Sequence, residues 1–196
     1  MKPLATNPQK ITGNWVDGYT LDQHIKRSEF LGDGPTGPVF ETERTELGEA
    51  VFQLKYGSRE PKEAARLAAT AAAFVEKWKV KIDVVVPMPA SKSRTVQPVQ
   101  LVAKRLAAQL GLELVVDAVV RTKATPELKN VDVTERRKVL AGAHRVDPAR
   151  VKGRNVLLFD DLFQTGTTMN AVAAILRTKG GAAKVYALAL TRTKKR

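Results

Sequence analysis

Short apolar runs alternate with amphipathic segments through the second half of the chain. Residues 82–86 are apolar and β-branched except at Asp83, a pattern that predicts a strand buried on both faces. Pro98–Leu110 repeats apolar residues at helical spacing and is followed by Gly111. The alternation continues with strand candidates at 112–116, 156–159 and 185–190 and a helix candidate at Thr167–Thr178, closed by Gly180. This order predicts an α/β fold, a doubly wound, mainly parallel sheet flanked by helices.

Two more helices are predicted ahead of these units. Leu47, Val51 and Leu54 fall on one helical stripe, and Gly57 stands where a helix end is expected. An alanine-rich helix is predicted from Pro61 to about residue 79, because proline is well tolerated in a first helical turn.

The N-terminal residues show no sustained period and are rich in Gly, Pro and Asn. We therefore predict a loop-rich arm or lid over 1–41 and the main domain over 42–196. Gly32, Gly34 and Gly37 have the spacing of the dinucleotide fingerprint. No strand pattern precedes them and prolines interrupt the stretch, so we interpret this match as accidental.

A long basic segment separates the third and fourth predicted helices. Residues 122–154 contain little apolar periodicity, and a short helix is predicted only near 135–140. Loops of this length in compact domains are usually functional or disordered. We predict a mobile hood loop over about 122–154.

Charge and composition narrow the function classes. The chain has a net charge of +13, with −3 over residues 1–50 and +16 over 51–196. This excess indicates an anionic partner and leaves nucleic acid, an acidic membrane surface and a polyphosphate metabolite open. There is no cysteine, which excludes disulfides, thiolate zinc sites and thiol redox chemistry. Without a secretory signal or an apolar run of about 18 residues, we expect a soluble, cytoplasmic protein.

The stretch VLLFDDLFQTGTTMN, residues 156–170, joins an apolar run to two acids, a turn and a helix start. Ligands bind at the carboxyl ends of parallel strands, where Asp160 and Asp161 are expected. The helix start after them offers free backbone N–H groups and the positive end of a dipole to a phosphate. The acids repel phosphate and suit sugar hydroxyls, a metal ion or a cationic transition state. The stretch therefore predicts a sugar-phosphate site.

Two other interpretations explain only part of this stretch. Apolar residues followed by Asp-Asp also occur on the magnesium-binding strand of P-loop nucleotidases, but no G-x-x-x-x-G-K-[ST] occurs in the chain. In a purely structural interpretation, the acids only end a strand and Thr167 caps the following helix. A cap accounts for Thr167 alone and does not account for the two acids beside the turn.

Residues 156–168, VLLFDDLFQTGTT, resemble the signature of type I phosphoribosyltransferases. The resemblance implies that Asp160 and Asp161 hold the ribose hydroxyls of phosphoribosyl pyrophosphate (PRPP). It assigns the 5-phosphate to the turn. The residues of that turn are Thr165, Gly166, Thr167 and Thr168.

The resemblance covers residues 82–191. Within the family, this stretch is most similar to the competence-protein-F-like (ComF-like) subgroup. The stretch VVVPMPASKSR, 84–94, is similar to the strand and loop that hold pyrophosphate, with Ser91, Lys92 and Arg94 as the candidates. Members of the subgroup usually have a four-cysteine zinc finger, which a chain without cysteine lacks. Their R-G-F-N-Q stretch is R-T-V-Q-P here, which leaves Gln97 to replace the usual polar side chain.

The implied function is an Mg²⁺-dependent transfer of the phosphoribosyl group to an unidentified nucleobase or amine, with release of pyrophosphate. Mg²⁺ is expected to bind mainly through PRPP, with a water-mediated contact to Asp160 or Asp161. Three basic residues of the hood are expected to close over the pyrophosphate and exclude water. They are Lys123, Arg136 and Arg137. A homodimer is compatible with the sequence.

Two further questions stay open at the level of sequence. Trp15, Tyr19 and Phe30 either form an aromatic wall for the acceptor or pack in the core, which is the commoner fate of such residues. The alternative function is a non-catalytic regulatory protein that senses PRPP or binds nucleic acid on the same fold. No recognition motif or interleaved aromatics support nucleic-acid binding, so this partner is not favoured.

Overall fold

The structure is a computed structural model, and it describes residues 2–35, 37–57, 61–90, 97–122 and 143–193. The strands are β1 Gln9–Lys10, β2 Asp17–Gln23, β3 Ile25–Gly34, β4 Gly37–Arg44, β5 Val84–Pro87, β6 Glu113–Leu114, β7 Val119–Arg121, β8 His144–Val146, β9 Asn155–Phe163 and β10 Lys184–Arg192. The helices are α1 Glu46–Tyr56, α2 Pro61–Trp78, α3 Pro98–Leu110, α4 Pro148–Val151 and α5 Thr167–Thr178.

Six strands form the central sheet in the order β1-β2-β10-β9-β5-β6. All neighbours in it are parallel except β1, which pairs antiparallel with β2. β5 and nearly all of β10 are buried, and so is the apolar run 156–159 of β9, as these apolar runs predicted. The predicted α/β fold with a mainly parallel sheet is confirmed.

Helices cover both faces of this sheet. Apolar residues of α1, α2 and α3 pack with Leu157 and Phe159 of β9 on one face. Residues of α5 pack with Val156 and Leu158 on the other face. The four longer helices lie where the sequence predicted them, and Gly111 ends α3 in the left-handed region with φ 64°. Among the described helices, none is long and apolar enough to cross a membrane.

The prediction of a loop-rich arm over 1–41 is wrong. β2 is a full member of the central sheet, and β3 pairs with β4 in a separate antiparallel hairpin. β3 is exposed on both faces, so it shows no alternation of buried and exposed residues from which a strand could be predicted. β4 also crosses the predicted boundary at 41 and 42, and the division of the chain into domains stays a prediction.

Two other expectations change. Gly32, Gly34 and Gly37 lie on the hairpin and lead into β4 rather than into a helix, which supports the interpretation of their spacing as accidental. The predicted hood loop over 122–154 does not extend through β8 and α4. These short elements form because Val146 and Val151 pack against the α5 face of the core. The short helix predicted at 135–140 lies outside the described residues.

Candidate functional site

The two adjacent acids lie within β9 rather than beyond its end. The sequence predicted a strand that ends at residue 159, but β10 pairs with β9 as far as Phe163. Pairing with β5, on the other side, stops at Phe159. Asp160 and Asp161 therefore lie just past the carboxyl end of β5, at the edge where parallel sheets bind ligands.

The two acids belong to opposite faces of the sheet. Phe159 packs in the core under α1, α2 and α3, whereas Leu158 packs in the core under α5. Because successive side chains of a strand alternate, Asp161 lies on the Phe159 face and Asp160 on the Leu158 face. Two consecutive residues thus meet two different environments.

Asp161 is 7% exposed as a whole residue, and it forms an ion pair with a lysine of α1. The Lys55 ammonium lies 2.7 Å from the Asp161 Oδ1. The Thr191 hydroxyl donates to the Asp161 carbonyl oxygen at 3.1 Å and lies 3.1 Å from the Nδ1 of His24. Burial is the largest cause that lowers the pKa of His24, and the positive charge of Lys55 is the next. Both favour the neutral imidazole. Sequence reasoning missed Lys55, because no local pattern links it to a residue 106 positions away.

Asp160 is half-buried and has a different environment. Its Oδ1 accepts a hydrogen bond from the backbone N–H of Asp161 at 2.8 Å. Burial and the neighbouring negative charge of Asp161 raise the pKa of Asp160 to about 8. A carboxyl that is protonated near neutral pH can donate one hydrogen bond and accept another. The acid pair can therefore present both a donor and an acceptor to a ligand.

The turn after β9 presents a helix start to the same edge. Gly166 is the N-cap of α5, in the left-handed region with φ 73°, and it supplies no side-chain cap. The hydroxyls of Thr165 and Thr167 lie 2.8 Å apart, and Thr168 is exposed in the first turn. Backbone N–H groups in a first helical turn attract anions. We call residues 162–168 the phosphate loop, after the ligand that the sequence predicts for them.

Residues of the N-terminal segment contact the phosphate loop and Asn170. The Nδ2 of Asn170 donates to the Gly166 carbonyl at 3.0 Å, and the Oδ1 of Asn170 accepts from the backbone N–H of Asn14 at 2.8 Å. Trp15 packs edge-on against Phe163, with 6.4 Å between ring centroids. A Cβ atom on Gly166 would lie 2.6 Å from the Phe163 ring. Residues expected in an arm or lid thus fix the loop's position.

A cleft of about 370 Å³ opens at this edge. It is lined by Lys55 and Tyr56 of α1, by 88–90 after β5, by 97–100 at the start of α3 and by 160–169. The acid pair, the phosphate loop and Gln97 therefore share one cavity, as the sequence predicted for the first two. Two helix starts, those of α3 and α5, contribute to its walls.

Several predicted site residues lie outside the described part of the chain. They are Ser91, Lys92, Arg94, Lys123, Arg136 and Arg137. The roles proposed for these six residues stay predictions.

The structure does not assemble the aromatic wall considered for the acceptor. Trp15 is 7% exposed beside Phe163, and Tyr19 packs against Phe74 and Trp78 on the other face of the sheet. Phe30 lies on the exposed hairpin. Trp15 and Tyr19 follow the commoner fate of such residues, packing in the core.

Residues 58–196 match the sequence model of the family described as phosphoribosyl transferase domain. That span is more than half of the chain. The chain belongs to the phosphoribosyltransferase family. The signature at 156–168 lies within the matched residues.

The chain is similar to several known proteins, and it spans different shares of their lengths. A ribose-phosphate pyrophosphokinase of Thermococcus kodakarensis is 33% identical over 103 residues, which are 48% of this chain and 36% of that protein's length. Glutamine PRPP amidotransferase from B. subtilis is 16% identical with a TM-score of 0.50, covering 80% of this chain and 34% of that one. Adenine phosphoribosyltransferase from Saccharomyces cerevisiae is 19% identical with a TM-score of 0.48, covering 83% of each chain.

Proposed function

We propose that this phosphoribosyltransferase binds PRPP with Mg²⁺ and transfers its phosphoribosyl group to a nucleobase or amine, releasing pyrophosphate. One observation supports this most strongly: the acid pair and the phosphate loop line the same cleft at the carboxyl edge of the sheet. A sugar phosphate needs acceptors for its hydroxyls and, at a distance from them, donors for its phosphate. Family membership supports the same reaction class.

The sugar end of PRPP is proposed to bind at the acid pair and the loop. Asp160 and Asp161 bind the ribose 2′- and 3′-hydroxyls. The 5-phosphate binds to the backbone N–H groups and hydroxyls of Thr165, Thr167 and Thr168. Gly166 keeps the backbone open to the phosphate, because a larger residue there would strain the turn.

The leaving group is proposed to bind at the other end of the cleft. As the bond from C1 to the pyrophosphate oxygen breaks, its electron pair leaves with pyrophosphate, and a lone pair of the acceptor forms the new bond to C1. Ser91, Lys92 and Arg94 precede the start of α3, which lines the cleft, and are proposed to stabilise this charge. Lys123, Arg136 and Arg137 are proposed to close over it.

The described residues fit Mg²⁺ in a substrate-borne role. Within the described part of the chain, no group of three or more His, Cys, Asp or Glu side chains could hold a metal ion. Mg²⁺ typically uses one or two carboxylates together with substrate phosphates and water, and the Asp160 and Asp161 oxygens suit that donor set. When bound with PRPP, the ion would neutralise charge on the departing pyrophosphate.

The finer assignments are part of this proposal. The order of VPMP, TPEL, ERRKVLAGA and the acid-pair signature supports the competence-protein-F-like subgroup without its zinc finger. A cytoplasmic location and a homodimer stay predictions. The acceptor is proposed to enter the cleft beside Tyr56 and Met88, which line it between α1 and β5.

Pyrophosphate release tests the proposed reaction. The full chain would be incubated with PRPP, Mg²⁺ and, one at a time, purine bases, pyrimidine bases, ammonia and small amines. Acceptor-dependent pyrophosphate release that is lost in Asp160→Asn and Asp161→Asn supports the proposal. PRPP binding without release for any acceptor would instead favour a regulatory protein that senses PRPP.

A further inference from the structure

Lys55 places an ammonium group in the cleft from outside the family-matched residues. It is in the last turn of α1, whereas the family match begins at residue 58. α1 is fixed on the sheet by buried Leu47, Val51 and Leu54, and its N-cap is Thr45, which accepts from the Gly48 N–H at 2.9 Å. The position of the lysine is therefore set by a firmly packed helix.

The Lys55 to Asp161 pair differs from the surface ion pairs of this protein. Its two side chains are 17% and 10% exposed, with 2.7 Å between the charged atoms. In the pair of Lys26 and Glu43 both side chains are at least 55% exposed. Burying an ion pair has a desolvation cost that often offsets its Coulomb attraction, so such a pair is a weak device for stability. A location at a ligand cleft indicates a use in binding.

Charge balance in the cleft points to that use. Among the described residues that line the cleft, Lys55 alone has a positive side chain, and it faces two acids. PRPP has phosphate and pyrophosphate groups, which bind best to cations and charge-assisted donors. Its ribose hydroxyls would at the same time donate to the Asp161 carboxylate, which now accepts from Lys55. The ligand thus offers a replacement partner to each member of the pair.

We infer that Lys55 is a substrate-binding residue: its ammonium leaves Asp161 when the ribose hydroxyls arrive and moves to phosphate oxygens of PRPP. This inference rests on the proposed function. The lysine side chain has a flexible four-carbon stem and three donors, so it can change partners without a movement of α1. In the empty cleft the same ammonium keeps the buried Asp161 charge compensated.

The test is calorimetric binding of PRPP with Mg²⁺ to the full chain and to three variants. Lys55→Met removes the charge, Lys55→Arg keeps it, and Lys77→Met removes an exposed lysine from the last turn of α2 as a matched control. We expect Lys55→Met to weaken PRPP binding by about 10- to 100-fold, the usual effect of one charge-assisted hydrogen bond. It should also reduce the salt dependence of binding, an effect that a merely structural lysine would not have. Lys55→Arg should stay within about threefold of wild type, and Lys77→Met should bind as wild type does.

The outcomes separate this inference from the proposed function. If wild type binds PRPP and Lys55→Met binds it equally well or more tightly, Lys55 is only a structural partner of Asp161 and the inference is wrong. If wild type itself does not bind PRPP, the proposed function fails and the inference fails with it. Circular dichroism and thermal melting of each variant establish that it is folded, and Lys55→Gln replaces Lys55→Met if the latter does not fold.

Discussion

Asn14 and Asn170, which are 156 residues apart, are joined by two hydrogen bonds. The Asn14 backbone N–H donates to the Asn170 Oδ1 at 2.8 Å, and the Asn14 Nδ2 donates to the Asn170 carbonyl at 3.2 Å. Asn170 also donates from its Nδ2 to the Gly166 carbonyl at 3.0 Å. The N-terminal segment is therefore connected to the phosphate loop through one side chain.

Replacing Asn170 should loosen the loop and weaken substrate binding. Asn170→Ala removes the side-chain bonds to Asn14 and Gly166, each with a net value of about 1 kcal/mol. We expect a higher KM for PRPP, by about tenfold, with a smaller change in kcat, because the acids are untouched. Steady-state kinetics measures both constants. Asn7→Ala, a change at an exposed asparagine, is the control, and equal KM values for the two variants would contradict this role.

The backbone shape at Gly166 should be required for phosphate binding. Gly166→Ala puts a Cβ 2.6 Å from the Phe163 ring at a residue with φ 73°, so both conformation and packing oppose it. We expect a loss of about 1–3 kcal/mol in unfolding free energy and weaker binding of ribose 5-phosphate. Denaturant unfolding and calorimetry measure the two effects.

Gly111 supplies the matched control for that substitution. It also has a left-handed backbone, with φ 64°, but a Cβ there would meet nothing within 4 Å. Gly111→Ala should therefore show only the conformational cost, about 1 kcal/mol, and unchanged ligand binding. If both variants lost the same stability and neither lost binding, the contact with Phe163 would have no part in shaping the loop.

The elevated pKa of Asp160 should appear in the pH dependence of stability. Its pKa rises from 3.8 in the unfolded chain to about 8 in the folded one, through burial and the charge of Asp161. The folded state therefore binds more protons between these values, and stability must fall as the pH rises from about 4 to 8. Asp160→Asn should remove this contribution and flatten the decline, as urea unfolding at several pH values would measure. Parallel curves for wild type and variant would show that Asp160 has an ordinary pKa.

The core of the site could be predicted from local sequence, since its parts are adjacent in the chain. A buried strand, two acids and a Gly-containing turn before a helix occupy residues 156–168, and chemistry dictates what each part attracts. Strand bounds were less predictable: β9 extends to Phe163 because β10 pairs with it there, which is a property of the neighbouring strand. Local residues predicted the site's location but not the extent of pairing.

Contacts between distant residues could not be predicted in this way. Lys55 meets Asp161 because α1 packs against the central sheet. Asn14 meets Asn170 because the N-terminal segment packs beside α5. The sequence did not predict the hairpin, because its strands have no buried face. Phe30 and Phe40 lie on either side of a Gly-Pro-rich turn, and their ring centroids are 5.4 Å apart. Two aromatic residues placed symmetrically about such a turn were the signal from which the hairpin could have been predicted.

Calorimetric titration of the full chain with PRPP and Mg²⁺ tests the central claim most directly. We predict saturable binding to wild type at submillimolar to millimolar ligand, and its loss in the double variant Asp160→Asn with Asp161→Asn, which should stay folded because asparagine has nearly the same shape. Asp117→Asn, a change at an exposed acid, should bind as wild type does. Absence of binding heat in folded wild type at millimolar PRPP, or equal binding by the double variant, would contradict the account.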